Sequence, residues 1–197
     1  MNPRLLLLLL LWYAPPLRAQ DMPVNPVTNK VTYTEVVPAG RSSKQELFDK
    51  ARKWVMAKDS PNNPYLIAYE DETEGSIIGK GSFLLPAARR KYAVLFTVKI
   101  SVKQGRCKYE FSDLIIQYTT TGNSNVFAVS VYARSADVKS ETLEYTVETF
   151  YPSRISGREP VVKHFEEISG SSFVAINREM LSVAGSLKQS LASSDDW

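Results

Sequence analysis

The chain has 197 residues, of which 44% are hydrophobic and 23% charged, so it is long and apolar enough to bury one sizeable core and is not a disordered or fibrous protein. Lysine and arginine number 24 against 21 acidic residues, and without Arg4 and Arg18, which lie in a predicted leader, the basic count is 22. A near-neutral domain lacks the basic surplus that nucleic-acid binding needs, so we expect no nucleic-acid partner.

Residues 1–19 predict a secretory signal peptide. Arg4 gives a positive start, residues 5–13 are continuously apolar, and Pro15-Pro16 precede the small residue Ala19, near which we expect cleavage. The apolar run would rise only about 14 Å as a helix, against ~30 Å for the hydrocarbon layer of a membrane. We therefore expect an exported protein, periplasmic or extracellular at the cell surface. Residues 20–197 would form a single domain without a transmembrane segment.

The first part of that domain predicts a strand followed by a helix. Residues 31–37 alternate β-branched and aromatic side chains, as strands do. Ser43 and Glu46 form an S-x-x-E capping box, and apolar side chains follow it at helical spacing. We expect an amphipathic helix over residues 44–58.

The middle of the chain predicts an antiparallel sheet. Residues 65–70 and 76–85 indicate a hairpin whose turn is 71–75, and residues 92–103 give the clearest strand. One face of that strand is apolar and therefore faces the core: Val94, Phe96, Val98, Ile100 and Val102. The other face is polar and faces solvent: Thr97, Lys99, Ser101 and Lys103.

The remaining sequence predicts further strands and a closing helix. Cys107, Tyr109 and Phe111, then Leu114 and Ile116, indicate a second long strand after a turn at Gln104-Gly105. Residues 126–132 and 143–151 are candidate strands, and the strand count between Gln117 and Pro160 stays open. Apolar residues at helical intervals predict a long helix over about 161–193, with a candidate break at Gly170. This order predicts an α+β fold, a twisted antiparallel sheet with helices on one face.

Two single residues are candidates for chemistry, and both have a structural interpretation. His164 is the only histidine and lies between Lys163 and Phe165, so we interpret it as a solvated helix residue. Cys107 alternates with core residues and has no histidine nearby to activate it, which predicts a buried, inert thiol. As the only cysteine it has no partner for an intramolecular disulfide.

Three short motifs also have structural interpretations. The acidic residues 70–75 lack the ligand spacing of a calcium loop and predict a hairpin tip. Residues 79–82, Gly-Lys-Gly-Ser, lie inside a strand with no helix after them, which favours a bulge or a close backbone approach over a phosphate loop. Arg89-Arg90-Lys91 predicts a solvated turn. We therefore predict no catalytic, cofactor-binding or metal-binding residues, and a protein that is not an enzyme.

Several of these segments together carry a resemblance to a known family. Residues 30–37, the helix start 43–47 with Ala51 and Trp54, residues 79–81 and the terminal Asp195-Asp196-Trp197 resemble the exported domain-of-unknown-function family 4468, which has a TBP-like fold and occurs mainly in Bacteroidetes. The likeness covers about 23–113 and the C-terminal helix, and the chain departs from the family pattern over 117–160. The resemblance implies a β-α-β(n)-α arrangement. It implies no activity, because the family has none assigned.

These features predict a non-catalytic binding or assembly module of the bacterial cell envelope, with an envelope protein or a small ligand as its unidentified partner. The contact surface is either the polar face of strand 92–103 or the last helix with its tail. An exposed Trp197 would be an anchor there, and the alternative is a Trp197 folded back on its own domain. A small-molecule or lipid carrier would need a cavity over the sheet. An enzyme of unrecognised type would need clustered carboxylates or lysines with shifted pKa values.

Overall fold

The computed structural model of the protein describes residues 21–58, 65–85, 92–119, 142–151, 168 and 170–193. Some predictions concern residues outside these ranges and stay predictions. They are the leader, Arg89-Arg90-Lys91, the strand at 126–132, His164, residues 161–167 of the closing helix, and the tail at 195–197.

The described residues form six strands and two α-helices. In chain order they are β1 (Tyr33–Pro38), α1 (Lys44–Ala57), β2 (Tyr65–Asp71), β3 (Ser76–Leu84), β4 (Tyr92–Lys103), β5 (Arg106–Thr119), β6 (Thr142–Thr146) and α2 (Gly170–Ala192). The predicted α+β class and the strands up to β5 are confirmed, with small differences at their ends. Ile168, just before α2, is not helical.

All six strands belong to one antiparallel sheet in which β5 is the longest strand. The sheet runs β2-β3-β4-β5, and the far side of β5 pairs with two strands in succession. Its first half pairs with β1, where Tyr33 lies opposite Phe111, and its second half pairs with β6, where Ile115 lies opposite Thr146. β5 therefore joins the beginning of the domain to a later part of the chain.

A bulge in β5 separates these two halves. Asp113 has φ +52°, and the pairing with β4 shifts between Leu95 and Thr97. The extra residue in β5 changes which side chains face the core, so Phe111 is followed there by Leu114 rather than by Asp113. The Asp113 carboxylate accepts a hydrogen bond from Lys30 Nζ at 2.7 Å.

Both helices pack on the same face of the sheet. The Ser43 hydroxyl caps α1 by accepting from the Glu46 backbone N–H at 3.1 Å, as the capping box predicts. The helices are joined by Trp54, whose indole N–H donates to Ser186 Oγ at 3.0 Å. Their buried side chains complete the core: Leu47, Phe48, Ala51, Trp54 and Val55 from α1, and Ile176, Met180, Ala184, Leu187 and Leu191 from α2.

The strand predicted over residues 143–151 is wrong in its second half. β6 ends at Thr146, and Val147–Thr149 form a 3-10 turn. Val147 is fully buried, and its carbonyl oxygen accepts hydrogen bonds from the backbone N–H groups of Phe150 and Tyr151. The run of apolar and aromatic residues therefore turns back on the core instead of continuing the sheet.

Neither described helix has the length and apolar character that crossing a membrane requires.

Candidate functional site

The face of the sheet opposite the helices carries the polar side chains of β4. Along β4 the apolar residues, from Val94 to Val102, are buried on the helix side, while Lys99 and Lys103 are exposed and Thr97 and Ser101 are half-buried. This alternation follows from the two-residue period of a strand. The predicted core face and solvent face of this strand are confirmed. We call the solvent side of the sheet the open face.

Five exposed cations of the described strands lie on the open face, and we call them the basic track. They are Lys80 of β3, Lys99 and Lys103 of β4, and Arg106 and Lys108 of β5. In the register of the sheet, Lys103 lies opposite Arg106, Ser101 opposite Lys108, and Thr97 opposite Lys80. The track therefore crosses the sheet diagonally, from the β4–β5 turn to β3.

The strand geometry sets the dimensions of the basic track. Neighbouring strands lie about 4.8 Å apart and alternate residues of one strand about 6.7 Å apart, so neighbouring cations of the track start from backbone positions roughly 5–8 Å apart. From Arg106 to Lys80 the track spans two strand spacings and three alternate-residue steps, about 22 Å. It is a line of charge rather than a round patch.

The basic track has little local compensation of its charge. The ion pairs found among the described residues join other side chains: Lys30–Asp113, Lys50–Glu46, Arg52–Glu70, Arg178–Glu179 and Lys188–Glu35. Glu110 lies opposite Lys99 in the register but forms none of these pairs. Within the part of the chain that the structure describes, the cations of the track therefore have no ion-pair partner.

The surroundings of the track are mixed, because hydroxyl groups and the half-buried apolar residues Ile78 and Leu95 lie on the central strands and further apolar residues lie at the edges. Thr97, Ser101 and Ser112 place hydroxyl groups beside the cations. The exposed apolar residues Val36 and Tyr69 lie on the edge strands β1 and β2. Tyr69 is the one aromatic side chain that the described strands place on the open face.

The open face is exposed over only part of its length. Beyond Lys80 several of its side chains are buried: Ser82 is 0% exposed, and Ala93 and Gln117 are each 3% exposed, whereas Leu84 of β3 is 39% exposed. Gln117 donates a hydrogen bond to the Glu144 carboxylate of β6 at 2.6 Å. The basic track and its hydroxyl groups therefore lie in the accessible part of the face.

The structure confirms the interpretation of Cys107. Its side chain is fully buried, and burial raises the pKa of the thiol to about 12. The thiol is therefore neutral at physiological pH, and neutral thiols are poor nucleophiles.

The acidic residues form the predicted hairpin turn between β2 and β3, and the glycines of β3 lie where neighbouring residues pack closely. A Cβ on Gly81 would lie 2.7 Å from a Phe96 ring atom, and one on Gly79 would lie 3.0 Å from Val98 Cγ1, so neighbouring side chains pack directly against the backbone at both positions. In the acidic turn, Asp71 accepts from the Glu74 backbone N–H at 2.9 Å. No group of three or more metal-ligating side chains occurs among the residues that the structure describes.

A polar cluster that the sequence did not indicate joins α2 to the edge of the sheet. Glu35 of β1 accepts from the Tyr109 hydroxyl at 2.8 Å and from Lys188 Nζ at 3.0 Å. Two hydrogen bonds lower the pKa of the Glu35 carboxyl, and the bond from Tyr109 contributes more than the bond from Lys188. Burial and the bond to Glu35 raise the pKa of Tyr109. The cluster lies on the helix side of the sheet, away from the basic track.

Sequence reasoning found part of the basic track. Lys99 and Lys103 were predicted on the solvent face, but Lys80, Arg106 and Lys108 were not connected with them. The signal was present in the turn at Gln104-Gly105, because a two-residue turn places Lys103 directly opposite Arg106 and puts Lys108 on the same face.

These elements define an α+β protein built on one antiparallel sheet, with both described helices on one side and a basic track on the other. The model of the family described as "Domain of unknown function (DUF4468) with TBP-like fold" matches residues 33–117, the segment from β1 into β5. The family resemblance drawn from the sequence is confirmed over this segment. No curated protein matches the chain.

Two solved structures share the fold. A TBP-like protein from Parabacteroides distasonis is 18% identical, with a TM-score of 0.54 over 86% of this chain and 98% of that one. A DUF4468 family protein from Bacteroides ovatus is 14% identical, with a TM-score of 0.51 over 92% of this chain and 95% of that one. At such identities the likeness shows the fold alone.

Proposed function

We propose that this protein is a non-catalytic binding or assembly module of the bacterial cell envelope, and that its open face is where the partner docks. The observation that carries the proposal is the basic track. Five exposed cations share one face, and none of them is in an ion pair with another described residue. A charged, uncovered sheet face supports contact with another molecule better than it supports chemistry.

The non-catalytic part of the proposal rests on the surroundings of the described side chains whose pKa values are shifted. The thiol of Cys107 is buried, and the Glu35 carboxyl is held by Tyr109 and Lys188 in a cluster that joins two elements. The described tyrosines with strongly raised pKa values, Tyr33, Tyr65 and Tyr109, are core residues. These perturbed groups have structural partners and do not converge in one cleft.

The packing between α1 and the sheet favours a binding module over a carrier. Trp54, Tyr65, Phe96 and Phe111 form ring contacts with centroid separations of 5.6–6.4 Å. These rings fill the space between helix and sheet that a carrier would keep for its ligand.

The envelope location rests on the leader-like residues 1–19 and on the bacterial origin of both similar structures. Cell fractionation tests it. The proposal expects a shortened chain in the periplasmic or surface fraction, and a full-length chain in the cytoplasm would contradict it.

The docking face is tested by site-specific photo-crosslinking in cells. A photoreactive phenylalanine derivative is placed at Ser101, between Lys99 and Lys103, or at the control position Met56, which is 57% exposed on α1. We expect a discrete crosslinked species from Ser101 and not from Met56. No species from Ser101, or the same species from both positions, would contradict the proposal.

A further inference from the structure

We infer that the basic track binds an extended acidic segment of a partner protein, one that carries carboxylates on alternate residues. The inference rests on the proposed function, because it names the partner of the same face.

The charge of the track requires an anionic partner. Lys80, Lys99, Lys103, Arg106 and Lys108 are exposed, and Glu110 is the acidic residue among them. Bringing neutral or cationic surface against this face would leave these cations without counter-charges. Complementary charge both raises the rate of encounter and rejects unsuitable partners.

The spacing of the track matches an extended polypeptide. Alternate residues of an extended chain point the same way and lie about 6.7 Å apart, within the range of roughly 5–8 Å that separates successive cations. A segment of about seven extended residues spans the 22 Å or so of the track, since each residue advances about 3.3 Å. Such a segment can place a carboxylate near most of the cations in turn.

The hydroxyl groups beside the track suit a polypeptide backbone. Thr97 and Ser101 can donate to carbonyl oxygens or accept from N–H groups of a chain that lies along the cations. Ser112, whose hydroxyl donates to the Asp113 carboxylate at 3.3 Å, can accept from such an N–H group. Hydrogen bonds of this kind hold the backbone of the acidic segment, while the lysines and the arginine pair with its carboxylates. The face thus offers partners for both parts of an acidic segment.

Two other anionic partners suit the face less well. Single-stranded nucleic acid uses aromatic platforms on which bases stack, and Tyr69 is the one aromatic residue of the described open face, at its edge. A lipid surface favours cations together with a group of apolar side chains that insert. The exposed apolar residues of the open face are instead separated: Val36 and Tyr69 are on opposite edges with the track between them, and Leu84 lies beyond the buried Ser82.

The test is a titration of the purified protein with a 12-residue peptide of alternating glutamate and serine. The matched peptide has the same composition with its six glutamates in one block. The variant Lys99→Gln/Lys108→Gln removes two cations of the track. Lys53→Gln is the control, since Lys53 is exposed on α1 and in no ion pair with another described residue. Thermal unfolding shows whether each variant is folded.

We expect the alternating peptide to bind more tightly than the block peptide, and binding to weaken as salt rises. The double variant should lose about tenfold in affinity, because each exposed charge pair contributes modestly. Lys53→Gln should stay within about twofold of the parent protein.

Three results would overturn the inference. They are no binding of the alternating peptide, equal losses in the double variant and the Lys53 control, and tighter binding of oligogalacturonate, single-stranded DNA or phosphatidylglycerol vesicles than of the peptide. A crosslink from Ser101 together with any of these results overturns the acidic segment alone and leaves the docking face in place. Loss of the crosslink itself overturns the proposed function.

Discussion

Replacing Gly81 by alanine should destabilise the fold, because two aromatic rings occupy the space beside this glycine. Gly81 pairs with Tyr65 on one side and Phe96 on the other, and the two rings meet edge to face with centroids 5.6 Å apart. A Cβ at this position would lie 2.7 Å from Phe96 Cζ and 2.9 Å from Tyr65 Cε1. Both distances are too short, so at least one ring must move.

The size of the effect follows from two opposing terms. Overpacking a core costs about 1–3 kcal/mol, and the lower chain entropy of unfolded alanine returns about 0.5–1 kcal/mol. Because the added Cβ meets two rings, the overpacking cost lies in the upper half of its range, about 2–3 kcal/mol. The net loss in free energy of unfolding is therefore about 1–2.5 kcal/mol, which corresponds to a fall in Tm of roughly 2–10 °C for a domain of this size. Urea unfolding measures this loss, provided that the variant and the parent have the same m-value.

The matched control is Gly185→Ala in α2, where no heavy atom lies within 4 Å of the added Cβ. This variant should be more stable than the parent by about 1 kcal/mol, because alanine is the better helix former. If Gly81→Ala unfolded at the same urea concentration as the parent, the close approach would not constrain this strand. If it instead lost binding of inorganic phosphate at unchanged stability, the phosphate-loop interpretation would be right.

Three further predictions concern the cap, the buried thiol and the polar cluster. Ser43→Ala should lower the free energy of unfolding by about 1 kcal/mol through loss of the α1 cap, and equal urea midpoints would contradict this. Cys107 should react with a thiol reagent only after unfolding, because burial keeps it neutral and inaccessible, and rapid labelling of the native protein would show otherwise. Glu35 has a lowered pKa in the folded state, so its contribution to stability is present above its unfolded pKa of about 4.3 and is lost as the pH falls through the folded pKa. Urea unfolding between about pH 6 and pH 3 should therefore show that the free energy of unfolding falls less on acidification for Glu35→Gln than for the parent. Parallel curves would argue against the cluster with Tyr109 and Lys188.

The sequence predicted the sheet best where a single pattern assigned side chains to both the core face and the solvent face. In β4, strict alternation of apolar and polar residues assigned the core side and the solvent side residue by residue. The capping box at Ser43 located the start of α1 for a similar reason, since one local hydrogen bond determines it. Local patterns of this kind do not depend on distant parts of the chain.

The parts that sequence reasoning missed depend on pairing between distant residues. The chain turns after Thr146 because Val147 enters the core, and nothing in the local pattern distinguishes this from a longer strand. The contact of Glu35 with Lys188 joins residues at opposite ends of the domain. Likewise, Lys80 joins the basic track only through the register of β3 on β4.

The central claim, that the open face is the binding surface, is tested most directly by mapping amide chemical shifts of the isotopically labelled protein during titration with the alternating acidic peptide. The account predicts shifts concentrated on Lys80, on Thr97 to Lys103 and on Arg106 to Ser112, with α1 and α2 unaffected. Shifts centred on the helices, or spread evenly over the surface, would contradict it.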